Sequence, residues 1–293
     1  RVYQYDPTKT TADTDESSST FGPAGWNKLG ADIDGENDGD RTGQSVSLSN
    51  DGTIVAIGAI SNDGNTGNTS DNRGHVRVYQ RDTSDPTGWT QLGANIDGEN
   101  ENDQSGRSVS LSGDGTIVAI GGYANDMNGS NSGHVRVYQY DVNKTTAVTD
   151  QSSPTYGPIG WNRLGADIDG ENTNDWSGYS VSLSSDGTII AIGGRYNDGN
   201  TGTTSDNRGH VRVYQYDANK DFADTVESSS TFGPIGWNRL GADIVGENTG
   251  DFSGHSVSLS SDGTIVAIGA FLNDDNGSNS GHVRVYQYDP TKT

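Results

Sequence analysis

Apolar and polar residues alternate along this chain in short bursts, and the bursts recur. Ser45-Val46-Ser47-Leu48-Ser49 puts an apolar residue at every second position, the period of a strand with one face on a core. Asn50-Asp51-Gly52-Thr53 follows, and then Ile54-Val55-Ala56-Ile57-Gly58, apolar on both faces. That second run predicts a strand covered on both sides. The Asp-Gly between the runs predicts a tight hairpin with both turn residues at positive φ. A third run, Gly-His-Val-Arg-Val-Tyr-Gln, starts at Gly74, and a fourth, Trp-x-x-Leu-Gly-x-x-Ile, starts at Trp26 and again at Trp89. No stretch shows the 3.6-residue period of a helix.

The group returns as a unit. The first run recurs around Val109, Val181 and Val257, the third at Gly133, Gly209 and Gly281, and the fourth at Trp161 and Trp237. Four short antiparallel strands per copy, one of them apolar throughout, describe a β-propeller-type blade. The fold expected is therefore all-β, four tandem blades in one repeat domain over 1–293, as a closed four-bladed ring or an open array. Blade-start segments run 45–107, 108–179, 180–255 and 256–293, with 1–44 completing a blade with the C-terminal end or with a neighbouring chain. A lone blade cannot cover its own faces, so copies must stack, and the repeated Trp and Leu are expected between them. Tyr79, Tyr138, Tyr214 and Tyr286 should be structurally equivalent.

Composition narrows what such an array can do. Hydrophobic residues make up only 29% of the 293 residues, and the net charge is −22. That combination accompanies disorder elsewhere, but the strand periodicity here argues for narrow sheets joined by polar loops. The acidic balance excludes nucleic acid as a partner and disfavours anionic membranes. It suits calcium, cationic partners or simple solubility. The chain has no cysteine, which removes disulfides and thiolate metal sites. No apolar run is long enough to span a membrane as a helix.

The pattern Ser-Gly-x-Ser-Val-Ser-Leu-Ser-x-Asp-Gly-Thr-x-x-Ala-Ile-Gly, followed by Gly-x-Val-x-Val-Tyr and a Trp, resembles the FG-GAP repeats of integrin-α-type β-propellers. It is most similar to versions found in large secreted surface proteins of aquatic microbes and algae. The resemblance covers essentially the whole chain and implies a propeller-type fold and an extracellular or cell-surface setting. This sequence departs from the family at its Phe-Gly pair, which reads Thr42-Gly43, Ser105-Gly106, Ser177-Gly178 and Ser253-Gly254. The family's Asp-rich calcium loop between the first two strands is replaced by the Asp-Gly turn, so calcium binding does not carry over from the resemblance.

Another acidic loop precedes each first strand. It offers Asp32, Asp34, Glu36 and Asp40 in the first copy; Asp97, Glu99 and Asp103 in the second; Asp167, Asp169, Glu171 and Asp175 in the third; and Asp243, Glu247 and Asp251 in the fourth. Hard cations take six to eight oxygens from such clusters, so one Ca²⁺ per blade is a candidate, against ordinary turn chemistry for Asp, Asn and Gly. His75, His134, His210 and His282 open the third strand of each copy and read as structural hydrogen-bonding residues. No serine sits in a nucleophile motif, and no catalytic set is expected. Asn68, Asn128, Asn143 and Asn276 lie in Asn-x-Ser/Thr glycosylation sequons. The connections between the third and fourth strands are long, polar and expected to be solvated, except the short one from Arg81 to Thr87.

The termini repeat each other: residues 284–293 read the same as residues 1–10. Two strands at the start, three full blades and three strands at the end make one strand more than four blades need. The chain also begins in mid-repeat without Met. Three explanations stand: a stretch of a longer tandem array, a processed protomer whose surplus strand docks on a neighbour, or an idealised or engineered sequence. The function expected is a structural subunit of an extracellular filament or surface layer, with self as partner. The alternative is a secreted adhesin or lectin-like module, calcium-dependent in one version, that binds glycans or surface proteins through loop aromatics such as Trp176, Tyr179 and Phe252.

Overall fold

The computed structural model describes every residue except 65, 67, 200–204 and 293. Among the described residues there are strands and turns and no helix. A two-stranded sheet opens the chain: β1 (Tyr3–Tyr5) and β2 (Trp26–Lys28). Three complete blades follow. The first holds β3 (Thr42–Leu48), β4 (Ile54–Ala59), β5 (His75–Arg81), β6 (Trp89–Gln91) and β7 (Ile96–Asp97). The second holds β8 (Ser108–Leu111), β9 (Ile117–Gly122), β10 (His134–Tyr140), β11 (Trp161–Arg163) and β12 (Ile168–Asp169). The third holds β13 (Ser177–Leu183), β14 (Ile189–Gly194), β15 (His210–Tyr216), β16 (Trp237–Arg239) and β17 (Ile244–Val245). A three-stranded sheet closes the chain: β18 (Ser256–Leu259), β19 (Ile265–Ala270) and β20 (His282–Gln287).

Each complete blade is an antiparallel meander, as the alternation predicts. The fourth strand differs from expectation in being two pieces. The Trp strand pairs with the far half of the third strand (Tyr138↔Arg163), and a two-residue strand pairs with its near half (His134↔Asp169). The break falls at the Gly of Trp-x-x-Leu-Gly, where Gly93, Gly165 and Gly241 take φ of 66–70°, a left-handed conformation that turns the chain out of the strand. The four tyrosines are equivalent, facing Val55, Val118, Ile190 and Val266 across the second and third strands.

The hairpin between the first two strands also differs from expectation. Only its Gly is left-handed, with Gly52 at φ 70°. Asp51 instead uses its side chain: Oδ1 accepts hydrogen bonds from the Thr53 backbone N–H at 2.9 Å, from Thr53 Oγ1 and from Ser49 Oγ. Satisfying local donors in this way replaces the need for a second positive φ.

Stacking buries the apolar faces. Val109 and Leu111 on β8 join Ile54, Ala56, Val76 and Val78 of the preceding blade in one cluster, and Val181 and Leu183 repeat the arrangement against Ala119, Val135 and Val137. The β4 strand is buried along its full length, as a strand apolar on both faces should be. Each tryptophan locks its blade to the one before. Trp89, Trp161 and Trp237 donate from Nε1 to the backbone oxygens of Leu29, Leu92 and Leu164 at 3.0–3.1 Å. Main-chain bonds between the hairpins add a second line: Asn50 N to Gly113 O, Gly113 N to Ser185 O, and Ser185 N to Ser261 O, at 2.7–2.8 Å.

The array is open. The first sheet pairs only β1 with β2, and the last ends at β20. Val46 and Leu48 are 65% and 50% exposed, whereas the equivalent Val109 and Leu111 are 9% and 7% exposed. At the other end Val283 and Val285 are 69% and 65% exposed, against 0% and 1% for Val76 and Val78.

The long connections are ordered rather than simply solvated. Each folds back on itself through an isolated bridge: Asp13 with Gly22, Val148 with Gly157, and Asp224 with Gly233. Lys9, Lys144 and Lys220 reach inside and donate to the Trp26, Trp161 and Trp237 carbonyls at 2.6–2.7 Å.

Candidate functional site

The acidic loops do not converge as one oxygen cage per blade; they separate into three environments. Asp40, Asp103, Asp175 and Asp251 are buried and cap their own loops. Asp175 Oδ2, for example, accepts from Asn172 N at 2.9 Å and from Asn197 Nδ2 at 3.0 Å. Asp34 offers its backbone oxygen to Arg77, and the equivalent Asp97 and Asp169 sit on the short strands opposite His75 and His134. The remaining carboxylates face arginine or lysine. Asp32 meets Arg1 and Lys28 at 3.0 Å, while Asp167 meets Arg136 and Arg163. Asp243 meets Arg212 and Arg239. Glu36, Glu99, Glu171 and Glu247 pair with Arg77, Arg136, Arg212 and Arg284.

Among the described residues, two carboxylates and the strand histidine come close enough to share an ion in three places: Glu99, His134 and Asp167; Glu171, His210 and Asp243; and, with Asp275 from the connection between β19 and β20, Glu247, Asp275 and His282. Each group already holds a guanidinium on its glutamate. In the third blade, Arg212 bonds both Asp243 oxygens, Nε at 2.9 Å and Nη2 at 2.8 Å. Burial pushes Asp243 up, but those bonds and the charge of Arg212 hold it below the ordinary carboxylate range. Glu171 goes the other way, raised by burial despite Arg212. His75 and His210 are brought down to about 4, first by burial and further by Arg77 and Arg212. These groups form ion-pair networks repeated from blade to blade, buried in the second and third blades and more exposed at the last sheet.

The sequons differ in access. Asn68, Asn128, Asn143 and Asn276 are all exposed residues. Asn128 is nevertheless engaged, donating from Nδ2 to Gly170 O at 2.7 Å and Glu171 O at 3.2 Å.

Trp176 and Tyr179 come together on one rim with Phe252, which is more than 70 positions away in the chain. Trp176 stacks on Tyr179 with centroids 6.1 Å apart and meets Tyr196 at 4.4 Å, and Tyr196 meets Phe252 at 4.9 Å. Arg195 lies among them, its guanidinium 4.3 Å from the Tyr179 ring and 4.6 Å from the Tyr196 ring. Sequence reasoning missed Arg195, Arg107 and Tyr123 here, although each departs from its equivalents in the other copies.

The repeat geometry has a counterpart among known families. The model of the FG-GAP repeat matches residues 96–138 and 246–286. The chain carries FG-GAP repeats. Both matched segments run from the end of one blade into the third strand of the next, so the FG-GAP unit here is the first three strands with the acidic loop ahead of them. No curated protein matches the chain. Among solved structures, a putative 6-phosphogluconolactonase from Bacteroides uniformis ATCC 8492 is 13% identical with a TM-score of 0.43, over 96% of this chain and 63% of that one. Hydrazine synthase from Kuenenia stuttgartiensis is 16% identical with a TM-score of 0.41, over 83% of this chain and 57% of that one. The chain spans less than two thirds of the length of either. Among the described residues no helix is long and apolar enough to cross a membrane.

Proposed function

We propose that this FG-GAP array is a non-catalytic structural subunit of an extracellular filament or surface layer that grows end to end. The observation that carries the reading is the complementarity of the two ends. The last sheet offers the first, second and third strands of a blade, and the first sheet offers the third and the Trp strand. Beside β20 lies a cleft of about 330 Å³ lined by Leu240, Gly241, Ala242, Tyr286 and Tyr288. By the internal rule, Trp26 of a second copy would seat there and donate to Leu240 O, as Trp237 does to Leu164 O. Tyr288 would meet it as Tyr216 meets Trp237, with centroids 5.2 Å apart. The same docking would cover Val283, Val285, Val46 and Leu48. Open heterologous contacts of this kind make filaments, and an unpaired edge such as β20 recruits strands. Thr293, where the chain would run into register with residue 10 of the next unit, lies outside the described residues.

Light scattering and electron microscopy of the full chain over a range of concentrations test this reading. Mass should rise with concentration, and linear particles should form. A monomer of 30.8 kDa at every concentration sinks it. A second reading, a secreted adhesin or lectin-like module, draws support from the convergence of Trp176, Tyr179 and Phe252 on one rim.

A further inference from the structure

The four copies share one framework, and four neighbouring positions on it carry a different residue in every copy. Between the invariant Asp40 and Gly43 of the first copy lies Arg41, and the equivalents are Gln104, Trp176 and Phe252. Just after the same Gly, the series reads Gln44, Arg107, Tyr179 and His255. Between the invariant Gly58 and Asn62, two adjacent series read Ile60, Tyr123, Arg195, Phe271 and Ser61, Ala124, Tyr196, Leu272. The flanking invariant residues fix the backbone, so the divergence sits in the side chains.

The fold gathers these positions. They lie at the start of the first strand and just past the end of the second, which are paired ends of one hairpin (Ser177↔Gly194). Stacking of the blades then joins the series into one band. Tyr123 of the second blade meets Trp176 of the third at 4.8 Å. Tyr179 of the third meets His255 of the last at 5.3 Å, and His255 meets Phe271 at 4.3 Å. A register shift between Ser177 and Ser180 accompanies the band, and bulges of this kind re-aim side chains. Residues 41, 104, 176 and 252 all hold φ of 53–56°. A bulky Trp or Phe in that left-handed conformation is strained, and the strain is retained where the ring joins the band.

The band carries positive charge that the protein does not neutralise. Arg107 lies 4.0 Å from the Tyr179 centroid, and Arg195 contacts His255 Nδ1 at 3.1 Å and Tyr196 Oη at 2.9 Å. The Arg195 Nε is buried with no hydrogen-bond partner. The framework arginines Arg77, Arg136, Arg212 and Arg284 each hold a glutamate. Among the described residues neither Arg107 nor Arg195 holds any carboxylate, in a chain of net charge −22. His255 is held below its usual pKa by burial and then by Arg195 and Arg107, as a locally cationic surface requires. Backbone recognition is closed off here, because Ser105, Ser177 and Ser253 N–H groups already donate to the preceding connection. An added peptide strand would find no free edge.

We infer that this band is a binding platform for an anionic polysaccharide, its half-buried ring faces stacking on sugar rings while Arg107 and Arg195 take the carboxylate or sulfate groups. The inference rests on the binding-module reading and gives it a ligand class. Rings present flat apolar faces with a polar edge. Guanidinium groups over aromatic faces stay available for bidentate contact with planar anions. A platform running across three blades fits a polymer better than a small molecule. The rest of the protein repels polyanions, so binding of one is not a non-specific effect.

The test is calorimetric titration of the full chain with four polymers: polygalacturonate, dextran sulfate, neutral dextran and polyglutamate. Variants borrow side chains that the fold already accepts at the same position in another blade: Arg107→Gln, Arg195→Ile and Trp176→Gln. The expected result is binding of polygalacturonate, dextran sulfate or both, weaker in high salt. Each variant should weaken it about tenfold or more while leaving the melting temperature in place. Binding of only one anionic glycan tells whether the arginines take carboxylate or sulfate. Equal binding of polyglutamate, or glycan binding unmoved by all three variants, overturns the proposal. Dextran bound as tightly as the charged polymers, and lost in Trp176→Gln, overturns the anionic ligand but keeps the binding module. No binding of any polymer overturns both.

Discussion

At the residue scale, two side chains of the repeat carry opposite lessons. The strand histidine is buried as a neutral ring: His75 is 0% and His210 4% exposed, and both have pKa values of about 4. A base whose folded pKa lies below its unfolded value stabilises the protein fully above about 6.5. That stability drains away as pH falls toward 4. Each histidine contributes on the order of 3 kcal/mol to the loss. Asp97 and Glu171, raised by burial, titrate with the opposite sign. The histidine part is therefore read from the difference in urea midpoints between the wild type and His75→Asn/His210→Asn, which should shrink from pH 7 to pH 4.5. Trp161 is fully buried and donates to Leu92 O at 3.1 Å. Trp161→Phe should cost about 1–3 kcal/mol by leaving that oxygen unpaired, and Trp161→Ala about 3–5 kcal/mol. Trp26, 44% exposed, should tolerate Ala with little loss in the melt. The sequence marked these tryptophans as equals; their ranking comes from whether a blade precedes them.

At the element scale, the hairpin glycines make the same separation. Gly52 and Gly187 have φ of 70° and 72°, so alanine strains both by about 1–2 kcal/mol. A Cβ on Gly52 would meet nothing within 4 Å, whereas one on Gly187 would lie 2.6 Å from Ile117 Cδ1 of the preceding blade. Gly187→Ala should therefore lose about 1–3 kcal/mol more than Gly52→Ala in denaturant titrations. The loops permit a similar test. In a glycosylating host, mass spectrometry should find glycan at Asn143 and Asn276 before Asn128, whose amide is committed to Gly170 and Glu171 oxygens. Equal occupancy at Asn128 would show that this connection opens freely. The acidic loops were legible as loops, but not their pairing. Arg136 is distant in sequence from Glu99 and Asp167, and only the fold brings them together: Asp167 lies just ahead of β12, which pairs with the strand that carries Arg136. With guanidinium groups supplying the countercharge, chelator should leave the melting temperature unchanged, and a drop of several degrees would point to calcium.

At the scale of the whole molecule, the question is what completes the end blades. Residues 1–10 and 284–293 are the same sequence and stand for the same strand. One of them is redundant at any junction between copies. Removing residues 1–10 should leave assembly intact, since β20 of one copy can pair with β2 of the next. Removing residues 284–293 should also be tolerated, since β1 can take that place. Removing both should abolish growth in light scattering, because no third strand then remains at the junction. Trp26→Ala should slow growth while sparing the monomer's fold, as the side chain that seats beside Leu240 is lost. Growth unaffected by the double deletion would refute end-to-end blade completion.

The sequence alone determined the local structure, because strand period, turn residues and repeat are properties of neighbouring positions. The all-β blade, its Tyr and Trp equivalences and the fully covered second strand follow from that. Tertiary structure decided everything that depends on which blade lies beside which. It made the array open, paired the acidic loops with arginines and split the fourth strand at its left-handed glycine. It also turned four scattered variable positions into one aromatic and cationic band. The physical reason is separation along the chain: pairing within a blade joins Arg136 with Asp167, 31 positions apart, and stacking joins residues about 60–75 positions apart, such as Trp89 with Leu29 and Leu183 with Ser110. No local pattern encodes the direction in which identical blades will stack.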